Sequence, residues 1–184
     1  FGNFHVKTID RTGQERHYRS RAVVIATGYY DSPRMLGVPG EELDHVKHFY
    51  DKPYLYFRQR VIVVGARNSA AQVALELFRH GADVTLVHRG PDVSDRVKSW
   101  IRPDLDARLR NGEIKAYFNT VVERIERDKV HLVQDGERRF TLPADFVLAM
   151  TGYEPNHSLL KKLGVGIDPE TGEPMYDEDT METN

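Results

Sequence analysis

The feature that most constrains this chain is an apolar run that ends at a glycine and leads directly into a helical pattern. Residues 61–64 are Val, Ile, Val and Val, and Gly65 follows them. Apolar residues then recur with the period of a one-sided helix, at Ala70, Val73, Ala74, Leu77 and Phe78. Gly81 stands where a glycine often ends a helix, and residues 84–87 form a second apolar run. Two buried strands around one amphipathic helix predict a right-handed βαβ unit with parallel strands.

The pattern changes further along the chain. Residues 103–110 are predicted to form a second helix, which begins near Pro103 and is followed by a strand over residues 114–118. Three short alternating segments predict an antiparallel meander, at residues 120–125, 130–133 and 138–141. Residues 146–150 return to a continuous apolar run, which is typical of a central parallel strand. The predicted fold class is α/β, with a parallel sheet and an antiparallel β-meander.

The start of the chain repeats part of this order of elements. A hairpin turn, an apolar run and then Thr-Gly-Tyr occur twice in this order, at residues 11–13, 22–26 and 27–29 and again at residues 135–136, 146–150 and 151–153. We interpret the repeat as the tail of one dinucleotide-binding fold that precedes a complete second one. The first copy lacks its own glycine-rich turn, so the chain is expected to hold an incomplete piece of a second domain.

Composition excludes several function classes without identifying a partner. Forty per cent of the 184 residues are apolar, 29% are charged and the net charge is −2, as in ordinary globular proteins rather than nucleic-acid binders. No window approaches the roughly 20 apolar residues that span a bilayer, and the start shows no signal-peptide pattern. We therefore expect a cytoplasmic location, with neither a nucleic acid nor a membrane as partner. The chain begins in mid-pattern on Phe1 rather than methionine, and we interpret it as part of a longer protein.

Metal and thiol chemistry have little support in these residues. The chain contains no cysteine, which excludes disulfides, thiolate metal sites and a thiol redox centre within the residues present. His45 and His48 stand three apart, but no clear set of further ligands accompanies them, so we interpret them as linker histidines and expect no metal site.

The segment between the first strand and the helix occupies the place of the motif G-x-G-x-x-G/A. In such motifs a glycine makes the tight turn, a small residue lets helix and strand pack, and free N–H groups at the helix start bind a pyrophosphate. The candidate cofactor-binding residues here are Gly65, Ala66, Arg67, Asn68, Ser69 and Ala70. Asn68 or Ser69 is expected to cap the helix or contact the ligand. Arg67 replaces the second glycine, and we hypothesise that it folds over the pyrophosphate as a charged clamp.

The end of the second strand indicates which dinucleotide is bound. An acidic residue about 20 residues after the glycine turn would hydrogen-bond the ribose 2′-hydroxyl of NAD, but this chain has His88 and Arg89 there. A carboxylate would repel a 2′-phosphate, whereas Arg89 can pair with it, helped by His88, Arg96 or Lys98. NADPH is therefore favoured over NADH. The alternative for Arg96 and Lys98 is that both are simply solvent-facing charges.

Three further candidates follow the last apolar run. Thr151, Gly152 and Tyr153, like Tyr29 after the first run, stand at a strand end, where ligands of such sheets bind. The alternative is that the two tyrosines only pack. Trp100 is interpreted as a packing anchor rather than as a stacking platform. No catalytic residue is assigned.

With these residues the chain resembles the thioredoxin-reductase-like flavoproteins, which contain two dinucleotide-binding domains. The resemblance rests on residues 26–28, 61–70 and 151–152 and runs through nearly the whole chain. More narrowly, the chain resembles the bacillithiol-disulfide reductase (YpdA-type) family, at residues 65–71, 88–90, 94–104 and 115–118. The resemblance implies a full-length enzyme in which NADPH reduces FAD and the flavin then reduces a low-molecular-weight disulfide. The cysteine implicated in that family's catalysis lies in the FAD-binding half, so only cofactor-binding roles carry over.

The resemblance also implies how the chain is divided. Residues 1–45 are expected to be the C-terminal part of an FAD-type fold with its crossover, residues 46–154 the NADPH-binding domain, and residues 155–184 a return segment. We expect this chain to bind NADPH weakly, to hold no stoichiometric FAD and to show no reductase activity without its FAD-binding half. The full-length protein is expected to be a homo-oligomer.

Two other functions compete with this reading. One is a flavin-containing monooxygenase, although residues 46–50 lack the Phe-x-Gly-x-x-x-His pattern typical of that class. The other is a non-catalytic nucleotide-binding or redox-sensing module.

Overall fold

The computed structural model describes residues 4–28 and 30–183 of the chain. In chain order the elements are β1 (Phe4–Ile9), β2 (Glu15–Ser20), β3 (Val46–Lys47), a 3₁₀ turn (Pro53–Tyr56), β4 (Arg60–Val64), α1 (Asn68–Arg79), β5 (Asp83–Val87), α2 (Arg102–Arg110), β6 (Lys115–Tyr117), β7 (Thr120–Ile125), β8 (Lys129–Gln134), β9 (Arg138–Pro143), β10 (Phe146–Ala149) and α3 (Ser158–Lys162). None of the helices in these residues is both long and apolar enough to cross a membrane.

The predicted βαβ unit is confirmed as β4, α1 and β5. All of the apolar residues of β4 are buried, and the buried face of α1 carries the predicted helical period. Gly81 follows α1 with a φ of +79°, a left-handed conformation that glycine adopts without strain. Strands β4 and β5 pair in parallel with Val63 opposite Leu86. Three features of the sequence therefore predict this unit correctly: the continuous apolar run, the helical period and the glycine that ends the helix.

Five strands form one parallel sheet in the order β3-β10-β4-β5-β6. Strand β10 lies between β3 and β4 and pairs with both in parallel, as predicted for a central strand. Strand β3 was not expected, because it is only two residues long and lies in a segment that shows no periodicity. Since all five strands run the same way, their carboxyl ends meet at one edge of the sheet, which we call the carboxyl edge.

The two faces of the sheet are covered by different structures. Val61 and Val63 of β4 face a core formed with α1 and α2, in which Leu77 and Leu105 are fully buried. Ile62 and Val64 face the opposite core, which is shared with the meander of β7, β8 and β9. The three meander strands pair antiparallel in sequence order, as predicted. The α/β class with a parallel sheet and an antiparallel meander is therefore confirmed.

The start of the chain agrees with the sequence prediction only in part. Strands β1 and β2 form the predicted hairpin, with Phe4 opposite Ser20. Residues 22–26 were expected to be a buried strand, but they form no strand, and Val24 is 88% exposed. A parallel strand needs neighbours for its backbone groups, and no strand in the described part of the chain pairs with this segment. Tyr29, the first of the two candidate tyrosines, lies outside the described residues.

The segments that enter and leave the parallel sheet run side by side. Pro33 and Tyr153 form an antiparallel bridge, and the backbone N–H of Arg34 donates to the carbonyl of Gly152 over 2.9 Å. The N–H of Glu154 donates to the carbonyl of Ser32 over 2.8 Å. Residues 155–183 then continue through short bridges and the five-residue helix α3, which the turn-rich sequence had not indicated.

Candidate functional site

Gly65 shapes the loop that joins β4 to α1 at the carboxyl edge. Its φ is +130°, and a Cβ at this position would lie 2.5 Å from the carbonyl oxygen of Met150 and 3.3 Å from the Cβ of Ala70. Its N–H donates to the carbonyl of Val87 on β5 over 2.9 Å. The glycine therefore lets β10, β4 and the start of α1 approach one another closely, and Ala70 is fully buried in that contact.

The helix that follows Gly65 begins without a cap. Arg67 occupies the N-cap position, no side chain caps the helix, and the first turn contains no acidic residue. In the described part of the chain, the backbone N–H groups of Asn68, Ser69 and Ala70 have no acceptor. Such free N–H groups, together with the positive end of the helix dipole, form an anion-binding site.

The side chain of Asn68 holds a neighbouring loop instead of capping the helix. Its Oδ1 accepts a hydrogen bond from the backbone N–H of Lys98 over 2.8 Å. The N–H of Ser94 donates to the carbonyl of Ala66 over 3.0 Å. The loop of residues 91–101 is thereby fastened to the helix start, while Ser69 remains exposed. No side chain caps α1, so the capping alternative for Asn68 or Ser69 is wrong, and the Asn68 oxygen is used by the long-range bond to Lys98. Contact of Asn68 or Ser69 with the ligand stays a prediction.

The end of β5 adds two basic side chains to the same edge. The backbone of His88 is fixed by a hydrogen bond from its N–H to the carbonyl of Tyr117 over 2.9 Å. Burial of its half-buried imidazole, followed by the charges of Arg89 and then Arg67, lowers the pKa of His88 below its ordinary value. The two arginines are therefore close enough for their charges to act on His88, and both burial and these charges favour the neutral form of its imidazole.

Three exposed arginines, two of them at this edge and one on the fastened loop, have no carboxylate partner in the part of the chain that the structure describes. Arg67, Arg89 and Arg96 are all exposed, and within residues 4–28 and 30–183 no carboxylate lies within 4.0 Å of their side-chain nitrogens. The backbone N–H of Arg96 lies 3.3 Å from the Ser94 hydroxyl, inside the fastened loop. Of the three, Arg67 and Arg89 act on His88, so positive charge lies where the sequence predicted phosphate binding.

The candidates after β10 are engaged mainly in structural contacts. The hydroxyl of Thr151 donates to the carbonyl of Arg34 over 2.5 Å, and the Tyr153 hydroxyl lies 3.3 Å from the carbonyl of His48. The ring of Tyr153 packs against those of Tyr30 and Phe49, with centroids 4.9 and 5.5 Å away. These contacts place residues 151–153 at the carboxyl edge and favour the packing alternative for Tyr153.

Trp100 is not the packing anchor that the sequence suggested. It is 73% exposed, and the ammonium of Lys98 lies 5.2 Å from the centre of its ring. Residues 94–101 form turns whose buried side chains are Val97 and Ile101, so the indole is left outside the core. The exposure of Trp100 could not be predicted from its residue type, because it depends on how this loop folds.

The two histidines of the linker flank the short strand β3. An imidazole nitrogen of His45 is 3.2 Å from the carbonyl of Glu126, and that of His48 is 3.6 Å from the buried carboxylate of Glu41. Among the described residues, no group of three or more metal-ligating side chains is found.

A shallow cleft of about 700 Å³ lies beside α2, but the guanidinium of Arg102 within it is already paired with Asp92 and Asp106.

Comparisons with known proteins agree with the family resemblance. A model of the family described as pyridine nucleotide-disulphide oxidoreductase matches residues 2–184. Bacilliredoxin reductase Bdr of Bacillus subtilis (strain 168) is 46% identical over 168 residues, which cover 91% of this chain and 52% of the relative. The similarity to bacillithiol-disulfide reductases is confirmed.

Solved structures give the same result for the fold. Bacillithiol disulfide reductase Bdr (YpdA) from Bacillus cereus matches with a TM-score of 0.92 and 46% identity, over 99% of this chain and 56% of that one. The Staphylococcus aureus protein of the same name matches with a TM-score of 0.83 and 34% identity, over 99% and 58%. The chain therefore spans about half the length of these relatives. It belongs to the pyridine nucleotide-disulphide oxidoreductase family.

Proposed function

We propose that this chain is the NADPH-binding portion of an FAD-dependent pyridine nucleotide oxidoreductase. The observation that carries the proposal is a combination at one sheet edge: the Gly65 turn, the uncapped start of α1, and Arg89 at the end of β5, which is exposed and has no carboxylate partner among residues 4–28 and 30–183. A strand end without a carboxylate and with an arginine favours a 2′-phosphate over a free 2′-hydroxyl.

Each part of the edge has a distinct proposed role. Residues 65–70 face the diphosphate through the free N–H groups of the helix start, while the Asn68 side chain keeps the neighbouring loop in place. His88, Arg89 and Arg96 face the 2′-phosphate. Residues 151–153 border the ligand at the end of β10. Since burial and the charges of Arg89 and Arg67 lower the pKa of His88, its imidazole can offer a hydrogen-bonding group there without adding to the repulsion among cations.

The redox step requires a second cofactor and residues beyond these. NADPH, when bound, would supply a hydride for FAD. The names of the two solved structures, bacillithiol disulfide reductases, support a low-molecular-weight disulfide such as bacillithiol disulfide as the final acceptor. The contribution of this chain is to bind and orient the dinucleotide, since it contains no cysteine. We further propose a cytoplasmic, homo-oligomeric full-length protein.

The domain limits belong to the same proposal. We assign residues 1–45 and 155–184 to an FAD-type fold and residues 46–154 to the NADPH-binding domain. The exposed apolar segment 22–26 supports this assignment, because its composition suits a buried parallel strand that lacks its neighbours here. The assignment predicts that this chain holds no stoichiometric FAD; a yellow protein with bound flavin would contradict it.

The decisive experiment measures NADPH and NADH affinity separately. Trp100 lies on the loop fastened to Asn68, so quenching of its fluorescence reports binding nearby. Arg89→Asp should weaken NADPH binding by about 10- to 100-fold, the effect of losing charge-assisted hydrogen bonds, and should leave NADH binding much less affected. Arg127→Asp, the same charge change in the turn between β7 and β8, is the control. An unchanged NADPH/NADH ratio in Arg89→Asp would refute the 2′-phosphate assignment.

A further inference from the structure

His88 holds a fixed place at the end of β5. Its backbone N–H donates to the carbonyl of Tyr117 over 2.9 Å, and its carbonyl accepts the N–H of Thr120 over 2.9 Å. The imidazole lies over Gly90, where an added Cβ would come 2.8 Å from Nε2. Gly90 does not have the left-handed φ that would require a glycine, so what the glycine contributes is room for the ring.

The charges around this imidazole differ from those around other histidines. Three histidines each have a carboxylate within 4.0 Å of a ring nitrogen: His17, His48 and His131. In the part of the chain that the structure describes, His88 has no such carboxylate. Burial is the first cause that lowers the pKa of His88, and the charges of Arg89 and then Arg67 lower it further.

The remaining neighbours bring no negative charge to the ring. Strands β6 and β7 approach His88 through a carbonyl and an N–H group of the backbone. Asp92, the first carboxylate of the loop that follows β5, is paired with Arg102 over 3.2 Å. Neither Asp92 nor Asp95 is among the charges that act on His88. An anion bound at this edge would therefore supply the counter-charge that the imidazole lacks within the described chain.

A 2′-phosphate bound here would reverse the electrostatics of His88. Phosphate monoesters of side chains have a second pKa of about 6, so such a group carries nearly two negative charges above about pH 7. An anion beside a histidine favours the imidazolium, which has two N–H groups to donate. A group whose pKa is raised by a ligand takes up a proton on binding, so the ligand binds more tightly as the pH falls through that pKa.

We infer that His88 is a specificity-determining residue that takes up a proton when the 2′-phosphate of NADPH binds. The inference rests on the proposed function and adds to it a coupling between pH and the choice of dinucleotide. The proton comes from solvent and is held between an imidazole nitrogen and a phosphate oxygen. NADH has a hydroxyl in place of this phosphate, so its binding should not protonate the ring. The preference for NADPH should therefore increase as the pH falls from about 8 to about 6.5.

The test is isothermal titration calorimetry of NADPH and NADH with the 184-residue chain. The titrations are made between about pH 6.5 and 8, because below this range the phosphate itself gains a proton. Two buffers with different ionisation enthalpies are used at each pH, since the difference in heat counts the protons taken up. For NADPH we expect up to about one proton and a dissociation constant that rises by up to about tenfold per pH unit. NADH should show neither effect.

Two variants separate His88 from other titrating groups. His88→Gln keeps a hydrogen-bonding side chain but takes up no proton, so NADPH should still bind while the proton uptake and the pH dependence disappear. His80→Gln is the matched control, because His80 is an exposed histidine at the other end of the 12-residue helix α1. The control should keep both effects. A residue with a merely structural role would change the melting temperature but not the proton count.

Each outcome decides the inference. If NADPH binds without proton uptake and is still preferred over NADH, the inference is wrong while the proposed function stands. If His88→Gln keeps the full proton uptake, or if NADH shows the same uptake, the inference is overturned. If the unsubstituted chain does not prefer NADPH or binds neither ligand, the proposed function fails and the inference fails with it. Should His88→Gln not fold, the proton counts of the unsubstituted chain with NADPH and NADH still decide.

Discussion

Substituting Gly65 by alanine tests whether the close approach at the carboxyl edge is what requires glycine. The new Cβ would lie 2.5 Å from the carbonyl oxygen of Met150, and the residue would have to keep a φ of +130°. The strained φ costs about 1–3 kcal/mol, and crowding in a packed region adds about 1–3 kcal/mol. We therefore expect Gly65→Ala to lose roughly 2–5 kcal/mol of unfolding free energy.

The loss can be measured by thermal unfolding followed by circular dichroism. For a chain of this size it corresponds to a fall in melting temperature of roughly 5–15 °C. Gly136→Ala is the matched control, because its φ is +75° but its Cβ would meet nothing within 4 Å. That variant carries only the left-handed strain of about 1–2 kcal/mol. If Gly65→Ala melts within about 2 °C of the control, less than the shift for 1 kcal/mol, the argument from the Met150 contact is refuted.

Three further predictions concern stability. Leu105 is fully buried where α2 meets the core around α1. Leu105→Ala should therefore lose about 2–5 kcal/mol of unfolding free energy, measured by urea unfolding. A loss below about 1 kcal/mol would mean that the neighbouring side chains fill the space and no cavity remains. The buried carboxylate of Glu41 accepts hydrogen bonds from the backbone N–H groups of residues 36 and 37 over 2.6 and 2.7 Å. Glu41→Gln offers one acceptor oxygen fewer, so it should lower the free energy of unfolding by about 1–3 kcal/mol and speed amide exchange at Gly37. Asp145 is hydrogen-bonded to Arg60 over 3.0 Å, and this bond is the main reason why the pKa of Asp145 is lowered. The pair therefore stabilises the fold above about pH 4, and this stabilisation is lost as the pH falls through the lowered pKa. Asp145→Asn should therefore be less stable at pH 7 by up to about 1 kcal/mol, and the difference should vanish towards acid pH in melting experiments.

The elements that the sequence predicts well are those whose signals are local. The run of residues 61–64, the helical period after Gly65 and the glycine at position 81 each act within a few residues, and the structure has β4, α1 and β5 at those places. Strand β3 has no such signal, because its two residues are a strand only through pairing with β10, which is distant in sequence.

Residues 22–26 and 146–150 show why composition alone does not decide a strand. Both are continuous apolar runs before Thr-Gly-Tyr. Residues 146–149 pair on both sides and are mostly buried, whereas residues 22–26 find no partner in the described chain and stay exposed. A parallel strand depends on its neighbours for hydrogen bonds, so the same pattern gives two results.

The candidate site was predictable to a similar degree. The positions of Gly65 and Ala70 follow from the motif, and the structure gives both the close contacts that the motif requires. The orientations of Asn68 and Trp100 do not, because they depend on how residues 91–101 fold back on the helix start. Long-range contacts of this kind leave no local pattern in the sequence.

The pairing of residues 32–34 with residues 151–154 means that the parallel-sheet unit begins and ends at the same place. A protein can carry such a unit as an insertion, because the host chain is interrupted at one point and no distance has to be spanned when it resumes. The host fold and the inserted fold can then change independently, or the unit can be exchanged for a related one. A transplantation of the unit into another protein should therefore carry the crossover from Pro33 onward together with residues 46–154, so that the bridge between Pro33 and Tyr153 is kept.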